Sequence, residues 1–363
     1  MPERHSQQDS TGPDWPVALA PMAGITDLPF RALALRFGAS WVVSEMVASQ
    51  DMVQARPSAR AKAELGFDQP ATAIQIAGRE EHWMAEAARM AEAMGAAQID
   101  INMGCPAKRV TNGLSGSALL RDPDHALRLI AAVTAAVAVP VTLKTRLGWD
   151  GAMLNAADVA RRAVDAGVSR VVIHGRTRCQ FYTGAADWAA IAPIRRAVAV
   201  AVIANGDITG AGAARAALAA SGGAGVMIGR AARGQPWLLG QVRAALAGRP
   251  TPAAPEGADR AALVAEHYQA MLSFYGTDLG AVTARKHLGW YMAHAGTPGP
   301  LRHTILTALP AEVLRLLPHA FGEPVPSCAP DPMPDPRTNR MPVTMPDFRT
   351  GTLQVPMPAK VAA

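Results

Sequence analysis

Ala97-Gln98-Ile99-Asp100-Ile101-Asn102-Met103-Gly104-Cys105-Pro106 reads as a short strand that breaks off at a glycine and presents a thiol just beyond it. The run to Ile101 is β-rich, Gly104 is expected to let the chain turn sharply, and Pro106 blocks a return to regular structure. A cysteine at the C-terminal end of a strand, on a polar loop, is placed for chemistry. The plainer alternative is a free cysteine buried as a small hydrophobe, so the decision rests on the chain around it.

Outward from this stretch the same unit repeats. Strand candidates are Val17–Ala20, Trp41–Ser44, Ala73–Ile76, Gln98–Ile101, Val141–Lys144, Arg170–Ile173, Val200–Ala204 and Gly225–Ile228. Alanine-rich stretches with helical spacing lie between them: Pro29–Arg36, a weaker one near Ala48–Ala63, Glu81–Met94, Pro123–Val137, Ala156–Ala166, Trp188–Val198, Ala211–Ala220 and Pro236–Ala247. Asp122 is placed to cap the helix opened by Pro123, and Asn155 with Asp158 suggests a capping box. Gly95, Gly167 and Gly248 sit where helices should stop. Eight strands, each followed by a helix, need right-handed crossovers and a parallel sheet. The pattern predicts an α/β fold, a TIM (β/α)8 barrel over 16–248. An open doubly wound sheet is disfavoured, because no G-x-G-x-x-G follows the first strand.

Residues 1–15 are polar and aperiodic and are expected to be disordered. Residues 249–258 form a proline-rich linker to a small C-terminal helical domain, 259–320, read as three helices at Asp259–Tyr275, Ala281–Ala295 and Leu301–Leu317. The proline-rich tail, 321–363, is expected to be disordered.

Half of the 363 residues are apolar, enough for a large core, yet no uncharged run is long enough to cross a membrane. The charged N-terminus does not resemble a secretory signal, and three scattered cysteines make neither a disulfide framework nor a metal pattern. A cytoplasmic, metal-free, monomeric protein is expected. The net charge of +6 and pI near 9.6 suit an anionic partner such as RNA. All but five of the 35 basic residues are arginine, which fits phosphate recognition or a nucleotide-composition bias equally well.

Barrel active sites gather at the C-terminal ends of the strands. Those ends deliver Pro21, Met22, Ala23 and Gly24, then Ser44 and Glu45, then Gln75, then Asn102 and Cys105. Lys144 and Arg146 follow, then His174, Gly175 and Arg176, then Asn205, Gly206 and Asp207, and finally Gly229 and Arg230. Glycine-bearing turns after the seventh and eighth strands suit phosphate, and Arg230 adds a cation. Lys144 could form a Schiff base, hold a phosphate or set charge beside a cofactor. His174 is open between cofactor ligand, general base and core histidine. Gln75 offers a donor and an acceptor to an amide-like ring edge. These residues alone leave a flavoenzyme, an aldolase and an isomerase in contention.

Ala20-Pro21-Met22-Ala23-Gly24-Ile25-Thr26-Asp27, Gln75-Ile76-Ala77-Gly78 and Asp100 through Pro106 resemble the tRNA-dihydrouridine synthases. So do Leu143-Lys144-Thr145-Arg146-Leu147-Gly148, His174-Gly175-Arg176-Thr177-Arg178, Ala204 through Ile208 and Met227 through Ala231. The likeness is strongest to the bacterial B type and runs from Val17 to Leu317, with Arg285-Lys286-His287-Leu288-Gly289-Trp290-Tyr291 adding support.

The resemblance implies an FMN-binding barrel that reduces tRNA uridines to 5,6-dihydrouridine with NADPH. It places Pro21, Met22 and Ala23 along the flavin ring, Gln75 and Lys144 at its polar edge, and His174 nearby. Asn205, Gly206, Asp207, Gly229 and Arg230 would hold the phosphate. Reduced FMN would deliver hydride to C6, and Cys105 would protonate C5, since a thiol of ordinary pKa, about 8.5, is protonated at neutral pH. Cys179 is the lesser candidate. The target base must be extruded from the folded RNA. Asn102, Lys108, Arg109, Arg176, Arg178, Arg285, Lys286 and Arg302 are the expected RNA contacts.

Overall fold

The computed structural model describes residues 15–66 and 71–322. The termini expected to be disordered lie outside these residues, apart from Trp15, Phe321 and Gly322, as does Cys328. Nine parallel strands form a single sheet: β1 Val17–Leu19, β2 Val42–Val43, β3 Val47–Ala48, β4 Thr72–Ala77, β5 Gln98–Met103, β6 Val141–Arg146, β7 Arg170–His174, β8 Ala201–Asn205 and β9 Gly225–Ile228. β1 pairs with both β9 and β2, and β2 pairs with β4, so the sheet closes on itself. The second barrel strand is split. β2 pairs Val43 with Ala73 and β3 pairs Val47 with Ile76, a slip of one residue that marks a bulge at Ser44-Glu45-Met46. The fold is therefore the expected eight-stranded barrel with one interrupted stave.

The strands are short, and β1, β4 and β9 are buried throughout, because helices cover the outside and side chains fill the inside. Around them run α1 Leu28–Arg36, α2 Ser49–Val53, α3 Pro57–Ala63, α4 Glu81–Ala93, α5 Lys108–Thr111, α6 Pro123–Thr134, α7 Ala156–Asp165, α8 Ala192–Ala197, α9 Ala211–Ser221 and α10 Leu238–Leu246. Alanine is the contact residue of choice: Ala87, Ala88 and Ala91 of α4 and Ala156, Ala160 and Ala163 of α7 are fully buried against the strands. Asp122 caps α6, its Oδ1 accepting the His125 N–H at 3.0 Å. The expected capping box of α7 does not form. Asn155 instead donates Nδ2 to the Leu120 carbonyl at 2.7 Å, and Asp158 pairs with Arg161.

Beyond β9 the chain forms α11 Gly257–Tyr275, α12 Thr277–Ala295, α13 Gly299–Thr307 and α14 Pro310–Ala320. One helix was expected over Leu301–Leu317, and two are found. Pro310 has no N–H to give and forces Leu309 into an extended conformation, so the helix must restart there. These helices bury Leu263, Met271, Leu288, Tyr291, Ile305 and Leu317 around Leu33 of α1 and Trp237. Asp27 joins the two parts: Oδ1 caps α1 through the Phe30 N–H at 3.1 Å, and Oδ2 accepts the Tyr275 hydroxyl at 3.1 Å.

Candidate active site

A cavity of about 930 Å³ opens at the C-terminal ends of the barrel strands. Cys105 lines it together with Pro21, Met22, Ala23, Gln75, Lys144, His174, Asn205, Gly206, Asp207, Gly229 and Arg230. Met46, from the bulge in the second stave, and Phe181 and Tyr182, from the loop after β7, complete much of the wall.

Strand register explains the polar floor. Gln75, Asp100 and Thr142 stand level on β4, β5 and β6, so their side chains meet inside the barrel. The buried Asp100 carboxylate accepts Gln75 Nε2 at 2.7 Å and Thr142 Oγ1 at 2.6 Å. A carboxylate only accepts, so the Gln75 amide has one possible orientation. Its Oε1 accepts Asn102 Nδ2 at 2.8 Å, and that leaves Asn102 Oδ1 to accept the N–H groups of Gly104 and Cys105 at 3.1 and 2.9 Å. Asp100 thus anchors a relay that ends on the backbone of the cysteine, where the Gly104 and Cys105 N–H groups, which can only donate, fix the same direction. Burial pushes its pKa up, against the hydrogen bonds from Thr142 and Gln75 and the nearby charges of Lys144 and Arg170.

This relay corrects one expectation. The turn at Cys105 does not rely on a left-handed Gly104, whose φ is not positive; the Asn102 side chain makes it. The glycine that matters is Gly116 (φ +60°), where a Cβ would stand 3.0 Å from the Cys105 carbonyl oxygen and 2.8 Å from Val110. Asn102, expected to contact RNA, also lines the cavity, with its amide held by Gln75 and by the backbone of Gly104 and Cys105. Asp100 was overlooked as a site residue. An acidic side chain inside an apolar strand was the available signal, since such a group must find partners within the barrel.

Arg146 holds the rim. Fully buried, it donates Nε to the Gly104 carbonyl at 2.8 Å and Nη1 to the carbonyls of Thr177 and Phe181 at 2.9 and 2.8 Å. One side chain thereby ties the Cys105 loop to the loop after β7. Lys144 donates Nζ to Asn205 Oδ1 at 3.1 Å, while Asn205 Nδ2 donates to the Met227 carbonyl at 2.8 Å. Burial, with Arg146 beside it, brings Lys144 down to about 8. Burial also drives His174 down to about 2, helped by Lys144, Arg146, Arg176 and Arg230, so the ring is neutral. Arg176 Nη1 lies 3.3 Å from His174 Nε2 and can only donate, which assigns the ring proton to Nδ1. Gly206 (φ +114°) leaves room for that ring, because a Cβ there would meet His174 Cδ2 at 2.8 Å.

Arg176, expected on the RNA-facing surface, is buried instead. It grips both carboxylate oxygens of Asp207 and donates to the carbonyls of Thr183 and Gly184. Asp207 also accepts Arg230 Nη2 at 3.0 Å, so its carboxylate organises cations and is not itself a phosphate ligand. Of the remaining expected RNA contacts, Lys108 and Arg109 are exposed on α5, and Arg178 lies across the Trp149 ring. Arg285 is exposed on α12, and Arg302 packs across Gly289. Lys286 Nζ stands 3.4 Å from where a Cβ on Gly24 would lie, in the loop whose Ala23 and Ile25 line the cavity. Cys179 is exposed and does not line the cavity. No helix among the described residues is long and apolar enough to cross a membrane.

The model of the Dihydrouridine synthase (Dus) family matches residues 18–308. A "Probable tRNA-dihydrouridine synthase" of Rhodobacter capsulatus is 61% identical over 318 residues, which span 87% of this chain and 97% of that relative. One of the same name from Rhizobium leguminosarum is 52% identical over 84% of this chain and 95% of its own. "tRNA-dihydrouridine synthase B" of Pseudomonas putida is 46% identical over 76% of this chain and 82% of its own.

Proposed function

The chain belongs to the dihydrouridine synthase family, and on that premise we propose that it reduces specific uridines of tRNA to 5,6-dihydrouridine, with FMN as cofactor and NADPH as reductant. The observation that carries the reading is the convergence of Cys105, Lys144, Gln75 and His174 on one cavity. Its carboxylate, Asp207, is already held by Arg176 and Arg230, and its histidine is neutral. Cys105 is then the side chain best suited to protonate a carbon.

The residues suit FMN. Ala20, Met22, Ile25, Met46 and Ile208 offer an apolar wall for a ring system, and Lys144, Arg230 and Arg233 supply positive charge. The volume of about 930 Å³ is at the upper end for a cofactor site, as a cavity shared with a second ring requires. Pro21, Met22 and Ala23 would flank the flavin, Gln75 and Lys144 its polar edge, and Gly206, Gly229, Arg230 and the backbone of Asp207 its phosphate. When bound, FMN reduced by NADPH would provide the hydride chemistry directed at C6 of the uracil.

The chain's own residues do the rest. Cys105 holds a proton on Sγ for C5, and the Asp100–Gln75–Asn102 relay fixes the backbone that carries it. Lys144, directed by Asn205, places a positive charge where negative charge accumulates during reduction. Arg146 keeps the two rim loops closed against water. The 259–320 helices present Arg285 and Lys286 to the tRNA, which must extrude its uridine into the mouth. The chemistry is tested by supplying the purified protein with FMN and NADPH and comparing tRNA with free uracil. Dihydrouridine should form in tRNA alone. Turnover of free uracil without tRNA modification would refute the proposal.

A further inference from the structure

On the far side of the Cys105 loop lies a second hollow, of about 450 Å³, which nothing in the flavin chemistry uses. One wall is Trp149, with the guanidinium of Arg121 5.1 Å and that of Arg178 4.5 Å from the indole centroid. Leu114, 63% exposed, stands at the edge. The wall is rigid. The Arg178 N–H donates to the Gly148 carbonyl and the Cys179 N–H to the Trp149 carbonyl, both at 2.9 Å, so the loops after β6 and β7 run as a paired ribbon. At Gly148 a Cβ would stand 1.9 Å from the Met153 oxygen, so the turn presenting Trp149 admits only glycine.

The cations here are free of carboxylates. Among the described residues Arg121 makes a ring contact with the indole and no hydrogen bond or ion pair, and Arg178 has one long bond, 3.4 Å, to Thr111 Oγ1, beside its ring contacts with Trp149 and Phe181. On the outer face of the barrel, by contrast, Arg89, Arg128, Arg161 and Arg162 each pair with a carboxylate. Asp122 also borders the hollow, where its Oδ1 serves as the cap of α6. A guanidinium backed by an aromatic face and left without a counter-ion suits a phosphodiester. The segment from Cys105 to Leu119 lines both hollows, with exposed Lys108 and Arg109 of α5 on the ridge between them.

We infer that this second hollow holds a nucleotide flanking the target uridine, with its phosphate on Arg121 and Arg178. The inference rests on the RNA-substrate reading above and extends it to one subsite. A base extruded into the first cavity leaves its neighbours unstacked at the rim, where charge and an aromatic wall receive them without regard to sequence.

Arg121→Ala in the full-length protein is the test, since this exposed side chain makes no hydrogen bond among the described residues. tRNA affinity should fall about tenfold, as expected for one lost charge-assisted contact. The slope of log Kd against log salt should drop by about one. KM for tRNA should rise far more than kcat falls, and flavin content should be unchanged. Arg121→Lys should restore the salt slope but only part of the affinity, and Arg161→Ala on the outer face should change neither. A wild-type salt slope and affinity in Arg121→Ala, with tRNA still modified by the parent protein, overturns the subsite alone. A parent protein that neither binds nor modifies tRNA overturns the functional reading with it.

Discussion

Replacing Asp100 by leucine tests the relay beneath the cysteine. The carboxylate satisfies Gln75 Nε2 and Thr142 Oγ1, and leucine satisfies neither. Two buried donors left without partners cost about 1–3 kcal/mol each. Relief of the burial penalty that raises the pKa of Asp100 offsets part of this, leaving a net loss of about 1–4 kcal/mol, a large share of a typical domain's stability. Asp100→Asn should cost under about 1 kcal/mol, because its oxygen still accepts Gln75 while the Thr142 hydroxyl turns to accept the new amide. The backbone N–H groups of Gly104 and Cys105 can only donate and keep Asn102 Oδ1 towards them, so the leucine variant instead leaves Gln75 without its anchoring acceptor and loosens the support of the Cys105 loop. Urea unfolding reads the first effect. Alkylation of Cys105, with exposed Cys179 as the internal reference, reads the second: the Cys105 rate should change relative to Cys179 in the leucine variant and not in the asparagine one. An Asp100→Leu protein with the parental urea midpoint and the parental alkylation ratio would refute the relay.

Cys105→Ala should keep bound flavin and tRNA affinity while losing about 100-fold to 10,000-fold in dihydrouridine formation, measured by single turnover on tRNA. The folded-state pKa of Lys144, about 8, lies below its unfolded value of about 10.4, so its burial penalises folding fully below pH 8. That penalty fades as pH rises from about 8 to 10.4, so flavin-free protein should gain stability over this window. Lys144→Met should lose the gain in parallel urea titrations. In the same range the parent's flavin affinity should weaken as the ammonium discharges, which fluorescence titration of FMN will report. Arg285→Ala combined with Lys286→Ala should weaken tRNA binding in a salt-sensitive way and spare flavin content, measured by filter binding and absorbance.

The sequence by itself determined the barrel. A strand covered by helices outside and side chains inside must be a short apolar run, and the right-handed crossover rule leaves eight such runs little else to build. The same rule places active groups at strand ends, which is why Cys105, Gln75, Lys144 and His174 are legible in the sequence. Local rules failed where a side chain had a stronger partner distant in sequence. Asn155 left its cap for the Leu120 carbonyl, and Arg176 turned inward to Asp207. Tertiary structure alone decided which polar groups meet. The register Gln75–Asp100–Thr142 depends on how three strands slide past one another as the cylinder closes, and alternation along one strand carries no record of that. The relay to the cysteine, the clamp by Arg146 and the guanidinium groups around Trp149 all arise from closure, because each joins residues that only the completed barrel brings within hydrogen-bond or ring-contact distance.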